Sequence, residues 1–277
     1  MEFEVDLRPT AEKPLLRGTG QLGSINIIMG RPRSGKSLFL RYLFALFTKD
    51  RELALHVSEG ILKEGGWVKL RVGDDLLECS KSQEDGGLAC VVKKSAKDEA
   101  YLLYEGVLFT LKYRREIPYP KVADALARML ERIAKFKGGR YHIEFRDDGR
   151  WYERVDGRLV DFSLASSAVV TVGVLERAFQ LEAWLLLDGT LDDLFPGEVF
   201  YLAGLASTAS ARLVVATHSP WVRRVFSCHR GVARAQGMPA GDKLVKTYEF
   251  VDGEVREIEL ASETYGKEFE RLYVACE

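Results

Sequence analysis

The 277-residue chain has 29% charged residues but a formal net charge of only −1, beside 47% hydrophobic residues. It is long enough to bury a substantial core, and its charge balance excludes steering by net charge toward nucleic acid or an anionic membrane surface. No apolar run approaches the roughly 18–20 residues that span a bilayer, and Met1-Glu2-Phe3-Glu4 is acidic where a signal peptide is basic, so a cytoplasmic protein without a membrane partner is expected.

Phe3 to Leu7 reads as a strand, followed by a polar connection and the apolar run Ile25 to Met29, a second strand. Ser37 to Phe47 is apolar or aromatic at nearly every position, which predicts a helix buried against a sheet. Between them, Gly30-Arg31-Pro32-Arg33-Ser34-Gly35-Lys36-Ser37 fits GxxxxGK[ST] in full. Glycines there let successive backbone N–H groups face phosphate oxygens, and the helix N-terminus adds partial positive charge. These eight residues are therefore the expected triphosphate site, with Lys36 reaching the β- and γ-phosphates and the Ser37 hydroxyl ligating Mg²⁺.

From about 53 to 115 short strands with turn signals predict a small antiparallel β insertion: Trp67 to Val72, Leu76 to Cys79 and Leu88 to Lys93. The four cysteines, Cys79, Cys90, Cys228 and Cys276, lack CxxC or zinc spacing. One Asn and four Gln, beside many Glu, Lys and Arg, point to a thermophilic source, where intracellular disulfides occur. Cys79 and Cys90 flank a turn expected at Glu84-Asp85 symmetrically, which leaves a bridge and two buried thiols both open.

Tyr101 to Tyr113 fits strand and helix equally. Pro118 and Pro120 open an amphipathic helix with the stripe Val122, Ala125, Leu126, Met129, Leu130 and Ile133, closed by Gly138-Gly139. Its basic residues, Arg128, Arg132, Lys135, Lys137 and Arg140, have a solvated face as their plain reading and a nucleic-acid contact as the alternative. A hairpin follows, Tyr141 to Phe145 and Trp151 to Val155 about Asp147-Asp148-Gly149. Helix Ser167 to Gln180, strand Trp184 to Leu187, helix Gly197 to Ala206 and strand Leu213 to Thr217 then alternate, which predicts parallel pairing. A helix from Trp221, a hairpin about Asp252-Gly253 and a terminal helix after Ala261 complete an expected single α/β domain over 1–277, with an insertion at about 53–160.

A phosphate loop needs a second acidic residue at the end of a neighbouring apolar strand, to hold the metal directly or through water. Glu182-Ala183-Trp184-Leu185-Leu186-Leu187-Asp188 supplies Asp188. Beyond it the chain reads Asp188-Gly189-Thr190-Leu191-Asp192-Asp193-Leu194-Phe195-Pro196, and later Val214-Val215-Ala216-Thr217-His218-Ser219-Pro220. On these motifs the sequence resembles the ATP-binding-cassette (ABC) superclass of P-loop NTPases, and within it the soluble AAA-like branch of archaeal ATPases and overcoming-lysogenization-defect (OLD) proteins. The resemblance implies a mixed central sheet flanked by helices, ATP and Mg²⁺ as cofactors, and Asp188 at the metal with its water. It makes His218 the switch histidine that senses the γ-phosphate, so that Lys36, Asp188 and His218 form the expected catalytic set. Leu164-Ala165-Ser166-Ser167-Ala168 occupies the signature position. Ser166 and Ser167 would there contact nucleotide held by a second copy, an N-cap being the plain alternative.

Two positions depart from the pattern. The carboxylate that follows the metal aspartate in the family is Gly189 here, and the signature glycine is Ala168. Asp192 and Asp193 are the nearest alternative carboxylates, and Gln83 does not fit the family's coupling glutamine. The expected function is an ATP-dependent dimerisation switch with slow hydrolysis and a protein client. A nucleotide-binding scaffold without turnover and a DNA-maintenance ATPase stand as alternatives.

Overall fold

The computed structural model describes residues 1–258 except 13, 95–97, 105–107, 109–110, 112–119, 137 and 147–149. The helix expected after Ala261, Pro118, Lys137, Cys276 and the turn at Asp147-Asp148-Gly149 lie outside the described residues. The first elements are β1 (Glu2–Arg8), β2 (Leu16–Gln21), β3 (Ile25–Gly30), α1 (Lys36–Thr48) and α2 (Arg51–Glu59). Next come β4 (Trp67–Val72), β5 (Asp75–Lys81), β6 (Leu88–Lys93), β7 (Ala100–Tyr104), α3 (Pro120–Ile133), β8 (Ile143–Phe145), β9 (Trp151–Val155) and β10 (Arg158–Asp161). The last are α4 (Ser167–Ala178), β11 (Trp184–Asp188), α5 (Pro196–Ala206), β12 (Arg212–Thr217), α6 (Pro220–Ser227), α7 (His229–Ala235), β13 (Val245–Val251) and β14 (Glu254–Glu257).

Eleven strands form one mixed sheet in the order β6-β5-β4-β1-β2-β14-β13-β3-β12-β11-β7, and β8, β9 and β10 form a separate antiparallel sheet. Strands β13, β3, β12, β11 and β7 run parallel, so their carboxyl ends open on one edge. Ligands of parallel sheets bind at that edge. Register aligns Asp188 with Ala216 and Thr217 with Met29, which sets the ends of β11, β12 and β3 side by side.

Helix α1 is apolar nearly all round because it is enclosed: Phe39, Leu40, Tyr42, Leu43, Phe44, Leu46 and Phe47 are each about 1% exposed or less. Full burial of a Leu or Phe side chain contributes about 1.5–3 kcal/mol, so this helix is fixed to the sheet from its second turn onward. Phe39 packs on Phe3 and Phe250, and Phe47 stacks on Trp184 with centroids 4.8 Å apart. The first turn of α1 is thereby held at the strand ends.

The antiparallel strands β4, β5 and β6 continue the main sheet from β1 as a wing. Cys79 and Cys90 face each other across β5 and β6 and are joined by a disulfide, which resolves the two readings in favour of the bridge. Within Tyr101 to Tyr113, Ala100–Tyr104 is a strand of the parallel block. Two expectations are corrected. The polar connection after β1 contains β2, which pairs with β1 over six residues. The stretch from about 53, expected to begin a run of strands, opens instead within α2, whose N-cap Asp50 accepts from Leu53 N–H at 3.0 Å.

Candidate functional site

The phosphate loop connects β3 to α1 and has the conformation its sequence requires. Gly30 and Gly35 take φ values of +156° and +94°, and a Cβ on Gly30 would come 2.5 Å from Ser34 Oγ and 2.7 Å from the Phe250 carbonyl. Gly35 is the N-cap of α1 and no side chain caps that helix, whose first turn also lacks an acidic residue. Its leading amides therefore remain available to an external anion. Ser34 Oγ is buried without a hydrogen-bond partner among the described residues, a polar atom in the cradle that a ligand oxygen would satisfy.

Lys36 Nζ donates to the carbonyls of Gly30 at 2.6 Å and Arg31 at 3.0 Å, folded over the loop. Burial lowers its pKa, against the attraction of Asp188 and Asp192. Ser37 Oγ donates to Asp188 Oδ1 at 3.0 Å, so the two sequence-predicted metal residues meet although they come from different elements. Burial raises the Asp188 pKa, opposed by the Ser37 hydroxyl, Arg41 and Lys36. A divalent cation between hydroxyl and carboxylate would favour the charged form directly. Among the described residues no group of three His, Cys, Asp or Glu could hold a metal alone. That donor set fits magnesium, which takes one or two protein oxygens and completes its shell with phosphate and water.

These side chains line a cleft of about 550 Å³ with Gly189, Asp192, Thr217 and His218. On the other side of Pro32, Arg33 and Ser34 a hollow of about 610 Å³ is walled by Pro9, Pro14, Leu15, Phe250 and Gly253. His218 lines the cleft, and sequence reasoning missed its partner. His218 Nδ1 lies 2.8 Å from Asp192 Oδ2, and the same carboxylate accepts from the Thr217 hydroxyl. Asp192 is therefore occupied within the chain, whereas sequence spacing alone left it as a loose alternative carboxylate.

Ser166 is the N-cap of α4, its Oγ accepting from Val169 N–H at 3.1 Å. Ser166 and Ser167 are exposed and do not line the cleft of their own chain. Of the basic residues near α3, Arg132 pairs with Glu99 and Arg140 lies over the Tyr201 ring at 5.3 Å, so both have structural work.

No family model matches the chain, and no curated protein matches it in sequence. Solved structures do match across almost its full length. An Smc head bound to the C-terminal winged-helix domain of ScpA aligns with a TM-score of 0.56 at 12% identity, covering 94% of this chain and 98% of that one. A Pyrococcus furiosus Smc head with an extended coiled coil, bound to the C-terminal domain of ScpA, aligns with a TM-score of 0.55 at 11% identity, covering 99% of both chains. The recombination mediator RecF–ATPrS of the RecFOR pathway gives 0.50 at 12% identity, covering 93% and 97%. At such identities the likeness concerns the fold alone: this chain is folded like the Smc heads and RecF.

Proposed function

We propose that the protein is a magnesium–ATP-dependent head that joins a second copy over bound nucleotide and turns ATP over slowly. The observation that carries this reading is the meeting of Ser37 Oγ and Asp188 Oδ1 at 3.0 Å, one helical position from Lys36, in the mouth of a phosphate loop. Gly30 to Ser37 would surround the triphosphate and the hollow beside Pro32 would take the base. When bound, magnesium would sit on Ser37 and Asp188 and offset phosphate charge. The chain's own residues then do the rest: Lys36 exchanges its carbonyl partners for phosphate oxygens, and His218 faces the γ-phosphate end.

Two features favour joining of copies. Ser166 and Ser167 are exposed away from their own cleft, and Leu164 and Phe195, beside the α4 and α5 N-termini, are 79% and 74% exposed. A protein client is favoured over DNA, because the Smc heads of similar fold are bound to ScpA domains and the basic residues near α3 are partly engaged.

The deciding experiment is light scattering of the purified protein with and without Mg-ATP, combined with phosphate release. The expected outcome is a doubling of mass with Mg-ATP, slow phosphate release, and loss of both in Lys36→Ala. An unchanged mass, or Mg-ATP binding that survives Lys36→Ala at full affinity, refutes the reading.

A further inference from the structure

Gly189 removes the carboxylate from the position after Asp188, yet a carboxylate stands beside that position. Gly189 takes φ +65°, and Asp192 N–H donates to the Gly189 carbonyl at 3.1 Å, so residues 189–192 close a turn. Thr190 Oγ1 pins the turn by donating to the Leu103 carbonyl at 2.8 Å. A Cβ built on Gly189 would have Asp192 Oδ2 as its nearest neighbour, at 4.0 Å. The turn thus brings the carboxylate of residue 192 back to where a side chain at 189 would begin. A non-glycine residue is disfavoured in that left-handed conformation, so Gly189 is what lets the turn form.

The Asp192 side chain is 4% exposed, whereas His218 beside it is 66% exposed. Asp192 Oδ1 accepts from the Thr217 hydroxyl, and Oδ2 accepts from His218 N–H at 3.3 Å and lies 2.8 Å from His218 Nδ1. A carboxylate on Nδ1 fixes the tautomer of the ring, with its proton on that nitrogen. Nε2 is then the acceptor nitrogen of a ring that lines the cleft with Lys36, Ser37 and Asp188.

On the reading of this cleft as the Mg-ATP site, we propose that Asp192 is a relocated positioning carboxylate that fixes and polarises His218, and that His218 Nε2 takes the proton of the attacking water. The water oxygen bonds to the γ-phosphorus while the bond from that phosphorus to the β–γ bridging oxygen breaks, its electron pair leaving with ADP. The water proton passes to Nε2 and then to solvent, so ATP and water give ADP, phosphate and a proton. Turnover in this chain therefore depends on the Asp192–His218 pair, with Gly189 as the turn that builds it.

The test uses the full chain as wild type, Asp192→Asn, Asp192→Ala, His218→Gln and the Asp192→Asn/His218→Gln double variant. Mg-ATP affinity is measured by calorimetry, phosphate release in steady state, and imidazole ¹⁵N spectra without nucleotide. Asp192→Asn keeps an oxygen for Thr217 but loses the charge, and it should lower kcat by about 10²-fold, the size of a general-base contribution. KM and affinity should stay within roughly threefold, and the double variant should be no slower than His218→Gln, as for residues that act as a unit. The spectra should show His218 protonated on Nδ1 in the wild type and a mixture of tautomers in Asp192→Ala. A wild type that binds Mg-ATP but releases no phosphate, Asp192→Asn turning over at the wild-type rate, or an Nε2-protonated His218 would each overturn the proposal and leave Mg-ATP binding standing. A wild type that binds no Mg-ATP removes both.

Discussion

His229 opens α7 with its side chain 3% exposed, and its pKa is held below the ordinary 6.5. Burial is the main cause and Arg230 adds to it, against an opposing pull from the Phe226 backbone. In the pH range between the folded value and 6.5 the unfolded chain binds the extra proton, so stability rises with pH there and is lost on acidification through 6.5. One such group gives at most about 1.4 kcal/mol per pH unit. Denaturant unfolding at pH 7.5 and 5.5 should therefore show a smaller acid loss in His229→Phe than in the wild type; equal losses would exclude His229 as the source. The same contrast between neighbours and sequence governs the site. Gly30 to Ser37 is legible because a phosphate loop is a contiguous segment whose geometry is local. Asp188 is legible because a strand end is a periodicity signal. The partnership of Asp192 with His218 is not, since it depends on a left-handed turn at Gly189 and on β11 and β12 being neighbours.

At the scale of elements, a buried ion pair within α4 fastens the helix to the segment before β8 through the hydrogen bonds of its two members. The Arg177 and Glu176 side chains are 2% and 3% exposed and meet at 2.7 Å. Arg177 also donates to the carbonyls of Gly173 at 2.8 Å and Gly138 at 2.6 Å, while Glu176 accepts from Arg140 N–H at 2.8 Å and the Tyr201 hydroxyl at 3.0 Å. Burial raises the Glu176 pKa and lowers that of Arg177, so each charge is costly in its place and depends on the other. Arg177→Met leaves Glu176 without its partner and should cost about 3–5 kcal/mol, whereas Arg177→Met/Glu176→Gln should cost less than the sum of the single changes. Urea midpoints at pH 7 check this, and strict additivity would rule out the coupling. Other elements escaped sequence reasoning for identifiable reasons. In β2 only Leu16 is buried, and Gly18 and Gly20 weaken its strand propensity. Those glycines are there because a Cβ would meet Val255 at Gly18 and the rings of Phe3 and Tyr248 at Gly20, each under 3.0 Å. Helix α2 has nine residues, too few for periodicity to show, and its signal was the cap: Asp50 three positions before Leu53.

Across the whole molecule, the parallel block brings the loop Gly30 to Ser37 and Asp188 together at one sheet edge, so a nucleotide there would contact groups that only the native fold assembles. Binding to the native state alone adds stability of about 2.7 kcal/mol when free ligand is a hundred times Kd. A chain of this length unfolds with an entropy near 0.6 kcal/mol/K, so that increment should raise Tm by about 4–5 °C. The rise should need magnesium as well as ATP and vanish in Lys36→Ala. Thermal unfolding also separates a monomeric nucleotide binder from a head that joins its copy. If two chains close over the nucleotide, the folded dimer dissociates on melting, and Tm in Mg-ATP climbs with protein concentration. Without nucleotide, Tm should not depend on concentration. A Mg-ATP shift of the same size at 1 and 50 times a given protein concentration would confine nucleotide to a single chain, and Ser166 and Ser167 would then keep only their place at the start of α4.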